Sequence, residues 1–306
     1  MRIGTRRSAL ALAQAGEVSE RLRALGVDSE LVPMTTEGDR GAAPEADGGK
    51  GLFVGDIVRA LQDGEIDLAV HSAKDLPAED PEGVIVAAVP ERASPFDALV
   101  SRDPEPAEGA RVGTSSLRRR GQFARSFPRL QAVDIRGNVD TRLTKMREGE
   151  VDGLLLAVAG LVRLGVEPEH VRELSADDMM PAPGQGALAV QARAVQAGAV
   201  QAGAVQAGAA DRARELIARI DDERSHAAFD AERTLVARLG GGCSLPLGAY
   251  AEDTNGSIRL IAAVFEADGS SFIRAEASAR LPADAAGFVA DALLAGGARR
   301  ILGEFG

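Results

Sequence analysis

Between Arg2 and Val158 the chain twice runs strand, helix, strand, helix, strand, and this repeated order constrains the fold more than any other feature of the sequence. In the first run, strands are expected over Arg2 to Thr5, Leu31 to Met34 and Leu68 to Val70. Ser8 caps a helix whose Val18, Leu22 and Leu25 form one stripe before Gly26 ends it, and a second helix covers about Leu52 to Asp63. In the second run, strands are expected over Ala110 to Gly113, Leu130 to Ile135 and Gly153 to Val158, with helices from Ser116 and from about Val139 to Glu148. Alternation of this kind builds α/β units, in which ligands bind beyond the carboxyl ends of the strands. From about Asp221 the pattern changes to one helix through Ala237, then strands near Leu247 to Ala251, Ser257 to Phe265 and Ser271 to Ala279, with a closing helix from about Ala283. Asn255-Gly256 and Asp268-Gly269 supply the hairpin turns. The expected fold class is therefore α/β: two α/β domains, over 1–90 with 187–222 and over 94–180, and a small α+β domain with an antiparallel sheet over 223–306. Crossings between the first two are expected near Pro90 to Pro95 and at Pro181-Ala182-Pro183-Gly184.

Charge and composition exclude several functions for a chain of 306 residues. The 35 Lys and Arg against 46 Asp and Glu leave a net charge of -11, which repels nucleic acid and acidic membrane surfaces. Aromatics are 3% with no Trp, so base-stacking platforms are absent. The longest apolar stretch, near Leu154 to Val162, falls far short of a membrane span, and no apolar run follows the basic N-terminus. A single cysteine, Cys243, allows no intrachain disulfide, so a reducing, cytoplasmic location is expected. One Cys and three scattered His make no conventional zinc site, and no metal is expected. Lys50 lacks the flanking residues of a phosphate-binding P-loop, with Pro44 and Gly51 at the deciding positions. Gly184-Gln185-Gly186-Ala187-Leu188-Ala189 matches a dinucleotide fingerprint by spacing alone, because it follows Pro-Ala-Pro and not a strand. Ala194 to Gly208 repeats Ala-Val-Gln-Ala-Gly three times without charge, and is assigned no role.

In so acidic a chain the arginines are informative where they gather. Arg6 and Arg7 precede the Ser8 cap; Arg118, Arg119 and Arg120 follow Thr114-Ser115-Ser116; Arg136 and Arg142 flank Gly137-Asn138. Each group stands at a strand exit or helix start, where backbone N–H groups already favour anions and a guanidinium adds a planar fork for carboxylate or phosphate. Solvated surface charge is the alternative for any one group; three at equivalent places point to a polyanion site. Asp75 ends His71-Ser72-Ala73-Lys74-Asp75 at an apolar strand's exit, either to stabilise a cation and shuttle protons or as a surface ion pair with Lys74. Cys243 follows Gly240-Gly241-Gly242, a flexible turn suited to covalent attachment, with no evident His partner for hydrolysis.

Together these pieces resemble the porphobilinogen deaminase (hydroxymethylbilane synthase) family. The matching runs include Arg2-Ile3-Gly4-Thr5-Arg6-Arg7-Ser8, Gly49-Lys50-Gly51-Leu52-Phe53, His71 to Pro77, Gly113 to Arg119, Arg136-Gly137-Asn138 with Thr141-Arg142-Leu143, Leu156 to Leu161, Pro183-Gly184-Gln185-Gly186 and Gly241-Gly242-Cys243, in family order along nearly the whole chain. The resemblance implies two periplasmic-binding-protein-like domains and a third domain carrying a dipyrromethane cofactor through a thioether to Cys243. It implies a monomeric transferase of porphyrin and heme biosynthesis that joins four porphobilinogen molecules head to tail, releasing ammonia and, after hydrolysis, hydroxymethylbilane. By the same resemblance Asp75 is catalytic. Ser8, Lys74, Asp75, Thr114, Ser115, Ser116, Arg118 and Arg119 bind the cofactor, and Arg6, Arg136, Asn138, Arg142, Arg163 and Gln185 bind substrate. Two departures stand out: Gly55 replaces a Lys common after Phe53-Val54, and Asp140 replaces a residue that is often Gly. A catalytically impaired paralogue, or a non-enzymatic anion-binding module, remains the alternative.

Overall fold

The computed structural model describes residues 1–35, 51–194, 214–241, 245–266 and 268–303. Cys243, Gly49-Lys50 and all of the pentad repeat except Ala194 lie outside them. The first unit contains β1 (Arg2–Arg6), α1 (Ala9–Ala24), β2 (Glu30–Met34), α2 (Gly51–Gln62), β3 (Leu68–Ser72) and β4 (Val84–Ala88). The second contains β5 (Asp97–Ser101), β6 (Arg111–Gly113), α3 (Leu117–Ser126), β7 (Gln131–Val133), α4 (Val139–Arg147), β8 (Gly153–Ala157), α5 (Val158–Arg163) and β9 (His170–Glu173). The chain then returns as β10 (Leu188–Arg193).

Among the described residues these strands form two five-stranded sheets of one design, β2-β1-β3-β10-β4 and β7-β6-β8-β5-β9. In each, four strands run in one direction and a single strand runs against them. That antiparallel strand is in both cases the one that has just crossed from the other unit, β10 in the first sheet and β5 in the second. The two expected crossings therefore become the seam between the sheets. Gly184 and Gly186 of the second crossing have φ of +74° and +87°. A Cβ on Gly184 would lie 2.8 Å from the Lys74 nitrogen, and one on Gly186 would lie 2.7 Å from the Ser94 carbonyl oxygen. These glycines let one crossing lie against the other and against the β3 exit, which explains a dinucleotide-like spacing with no dinucleotide loop.

β3 and β10 are buried on both faces, so they carry no alternation. Leu68, Val70, Leu188 and Val190 pack with Leu22 of α1 on one side, and Ala69 and Ala189 pack with Ile57 and Leu61 of α2 on the other. Each fully buried Leu or Ile contributes about 1.5–3 kcal/mol.

The third unit comprises α6 (Glu223–Arg238), the antiparallel sheet of β11 (Leu247–Asp253), β12 (Ile258–Phe265) and β13 (Phe272–Ala279), then α7 (Pro282–Ala295) and α8 (Ala298–Leu302). Asn255 and Gly256 both take positive φ, +59° and +82°, as an Asn-Gly hairpin turn requires. One face of β12, through Leu260, Ala262 and Val264, packs on Leu235 of α6 and Val289 of α7. Its other face, through Ile261, Ala263 and Phe265, meets Met180 of the second crossing. Thus the sheet is clasped between its own helices and the second unit. No helix among the described residues is long and apolar enough to cross a membrane.

Candidate active site

The exits of β1, β3 and β6 open on one cleft between the sheets. Ser8 and Ser116 occupy equivalent places in the two units, each in extended backbone at a helix start. The Ser8 hydroxyl accepts from Ala11 N at 3.3 Å and the Ser116 hydroxyl from Arg119 N at 3.4 Å, so both helix N-termini are fixed by the same capping bond. At the third exit, β3 passes into a single 3-10 turn, Ala73–Asp75, closed by Leu76 N donating to Ala73 O at 3.2 Å. That turn presents Lys74 and Asp75 to the cleft.

The cleft has two contiguous chambers that share Lys74, Asp75, Arg119 and Arg142. The larger, about 600 Å³, is also lined by Ser115, Ser116, Arg118 and Gln185, and on its third wall by Phe229 and Arg233 of α6. Gly241 and Leu245 line it too, and in sequence they bracket Cys243 two residues to either side. The smaller, about 240 Å³, adds Arg6, Ser8, Asn138 and Arg163. A separate cavity of about 780 Å³ lies at the other end of the second sheet, where Glu105, Glu108 and Glu169 balance Arg129 and Arg172. None of the candidates from the sequence lines it, and its mixed charge suits no polyanion.

Charge in the cleft is predominantly positive. Among the described residues Arg6, Lys74, Arg118, Arg119, Arg142, Arg163 and Arg233 line the two chambers against Asp75 and Asp140. Part of this charge is neutralised internally: Arg163 pairs with Glu17 at 3.0 Å, Arg233 with Asp80 at 2.9 Å, and Arg118 and Arg119 both pair with Asp97, at 2.8 and 2.7 Å. The remainder shows in the titration of the cations. Burial pulls the Lys74 ammonium down to about 8, with Asp75 opposing and Arg119 adding to the shift. Burial likewise lowers the Arg142 guanidinium, and Arg119 lowers it further. His71 is held neutral, burial taking it to about 4 against the pull of Asp75. Burial by itself would raise the Asp97 carboxyl, but the two guanidiniums outweigh it and hold Asp97 far below the usual range. Cations that depress one another in a closed space are stabilised by an incoming anion.

The remaining candidates fall into distinct places. Thr114 is buried, and its hydroxyl accepts from Ser116 N at 3.3 Å, while the Ser115 hydroxyl donates to Ile135 O. Arg142 lines both chambers with Nε donating to Gly137 O at 2.7 Å. Asn138 is exposed at the rim and begins α4 without a side-chain cap bond. Gln185 is 1% exposed, and its amide is engaged by Lys74, Pro95 and Asp97. Arg163 is turned to Glu17 and Gly186 O. Arg136 lines neither chamber: its side chain is 82% exposed and lies 3.6 Å from Asp134. Of the two departures, Asp140 is exposed in the first turn of α4, where the helix dipole favours a carboxylate, and a Cβ at Gly55 would meet nothing within 4 Å. Sequence reasoning missed Asp97 and Glu232. The signal for Asp97 was a carboxylate inside an apolar segment, Phe96-Asp97-Ala98-Leu99, which burial makes costly unless it is paired; Glu232 stands in a charged stretch between Asp230 and Arg233 and carries no such signal.

Comparison with known proteins identifies the family. Residues 1–201 match the family model described as porphobilinogen deaminase, dipyromethane cofactor binding domain, and residues 227–294 match porphobilinogen deaminase, C-terminal domain. The porphobilinogen deaminase of Syntrophotalea carbinolica is 45% identical over 312 residues, covering 99% of this chain and 95% of that one. That of Brevibacillus brevis is 40% identical, covering 99% and 96%. Among solved structures, an ABC-transporter periplasmic substrate-binding protein from Coxiella burnetii aligns at TM-score 0.41 and 12% identity, over 73% of this chain and 92% of that one. With both family models in register along the chain and full-length relatives at this identity, the chain belongs to the porphobilinogen deaminase family.

Proposed function

We propose that the protein is a hydroxymethylbilane synthase, a transferase of porphyrin and heme biosynthesis that condenses four porphobilinogen molecules and releases ammonia. The observation that carries this reading is the cleft itself, where Asp75 stands among cations that lack enough carboxylates of their own. Each pyrrole brings an acetate and a propionate, so a growing chain is a polyanion that such a site holds. The donor set also fits a dipyrromethane, since Gly241 and Leu245 line the larger chamber on either side of the Cys243 position in sequence, beside Lys74, Arg118 and Arg119. Bound there by a thioether, the group supplies the free pyrrole carbon to which substrate is added. Ser8, Thr114, Ser115 and Ser116 order the helix starts that present N–H groups to its carboxylates. Arg6, Asn138 and Arg142 receive the incoming pyrrole. Loss of ammonia develops positive charge on that pyrrole, and the Asp75 carboxylate opposes it where it forms. Gln185 and Arg163 support this wall from the second crossing and from α5, and Arg136 meets substrate at the entrance. We further propose the division 1–90 with 187–222, 94–180 and 223–306, a monomeric state and a cytoplasmic location. The single cysteine, which allows no intrachain disulfide, supports the location.

The purified protein is expected to release ammonia from porphobilinogen and to form a bilane that cyclises to uroporphyrinogen, read as uroporphyrin after oxidation by added iodine. Binding without turnover would favour an anion-binding module, an alternative that the family membership does not favour. The pH dependence has a definite sign. Lys74 is charged below about 8 and loses its proton above it, so anion binding weakens there and the rate should fall on an alkaline limb centred near pH 8. Lys74→Arg keeps the charge and should carry that limb to higher pH; an unmoved limb would assign it to another group.

A further inference from the structure

We propose that Asp97 is a positioning residue for this reaction: its carboxylate holds Arg118 and Arg119 as a pair at the cleft wall and, through Gln185, sets the Lys74 ammonium beside Asp75. Asp97 opens β5, where the first crossing enters the second sheet, and it is 0% exposed. One oxygen lies 2.8 Å from Arg118 Nη1 and the other 2.7 Å from Arg119 Nη2. Gln185, on the second crossing, donates its Nε2–H to Asp97 at 3.0 Å and to Pro95 O at 2.7 Å, and its Oε1 accepts from Lys74 Nζ at 3.3 Å. One carboxylate thus joins the start of α3, both crossings and the β3 exit, the four segments whose relative placement defines the cleft.

The chemistry favours a role beyond packing. A carboxylate removed from water costs several kcal/mol unless its partners are well placed. Here it is shared by two guanidiniums, which leaves one positive charge over at a wall that faces the cleft. The backbone fixes the guanidiniums further, with Arg119 Nη1 donating to Leu155 O at 2.8 Å and Arg118 Nη1 donating to Met180 O. Arg119 Nε is buried and has no hydrogen-bond partner among the described residues, so a donor remains for an anion. Lys74 feels Asp75 and Asp97 as attractive charges and Arg118 and Arg119 as repulsive ones. Removing the Asp97 charge strips one attraction and leaves both repulsions unscreened.

This inference rests on the hydroxymethylbilane synthase reading, and the test separates the two. In Asp97→Asn, kcat/KM for porphobilinogen should fall roughly 10–100-fold at a temperature where circular dichroism shows the variant folded. The pH midpoint for labelling of Lys74 by an amine-reactive reagent, read by peptide mass spectrometry, should fall by about one unit. Gln185→Met removes the bridge between Asp97 and Lys74, together with the bond to Pro95 O, while leaving the Asp97 carboxylate and both of its guanidinium partners in place, and is expected to lower the same midpoint whether or not Asp97→Asn folds. A Lys74 midpoint that stays in place in Gln185→Met, or a folded Asp97→Asn with kcat/KM within threefold of wild type, would overturn the inference while leaving an active wild type untouched. A wild type without turnover overturns both readings together.

Discussion

Asp75→Asn should lose about 10²–10³-fold in turnover while folding normally, because it keeps the shape of the side chain and removes only the charge. The 3-10 turn that carries Asp75 is set by backbone, through Leu76 N to Ala73 O, and does not depend on the carboxylate. What depends on it is the potential in the shared part of the cleft, where Asp75 and Lys74 stand with Arg119 and Arg142. With the carboxylate gone, positive charge developing on a pyrrole would form among cations alone. The Lys74 ammonium, which Asp75 helps to keep charged, should also titrate lower, so the alkaline limb should move down. Initial rates against pH, beside a thermal melt, check both effects. A variant within tenfold of wild-type turnover would remove Asp75 from the reaction.

The largest effect on stability should come from Glu232. On α6 and 0% exposed, its carboxylate accepts from Arg92 Nη1 and Nη2 at 2.8 and 3.1 Å, from Gly184 N at 2.5 Å and from Ala251 N at 2.7 Å. Arg92 belongs to the first crossing, Gly184 to the second and Ala251 to β11, so this one side chain ties the third unit to the seam between the sheets. Arg92 reinforces the seam, with Nε donating to Gln185 O at 2.9 Å. Glu232→Ala leaves a buried guanidinium unpaired and two backbone N–H groups without acceptors, a loss of about 3–5 kcal/mol. For a chain of this size that is a melting temperature lower by roughly ten degrees. Glu232→Gln keeps an acceptor oxygen and should lose less. A melt of Glu232→Ala within two degrees of wild type would show that the junction is held elsewhere.

The sequence makes the two α/β runs readable because their helices are amphipathic and properly capped: α1 begins after Ser8 as its cap predicts, and α3 after Ser116. The hairpin at Asn255-Gly256 is equally local. By contrast β5 and β10 carry no such signal. β5 is buried along its whole length yet opens with a charged residue, and β10 follows a glycine-rich crossing that resembles a loop. Their identity as strands depends on neighbours brought from the other half of the chain, which periodicity does not contain. The same holds for the site. Arg118 and Arg119 are legible as an anion-binding pair from their place at a helix start, but the pairing with Asp97 depends on the first crossing folding back beneath them. Arg136 looks equivalent in sequence and stands exposed outside the chambers, because its segment turns outward at the exposed Gly137, whose φ is +119°.

The intact mass of the denatured protein, purified from a host that makes porphobilinogen, tests the central claim most directly. A mass excess of one dipyrromethane, absent in Cys243→Ser, is the expected result. An unmodified mass that persists after incubation with porphobilinogen would contradict it.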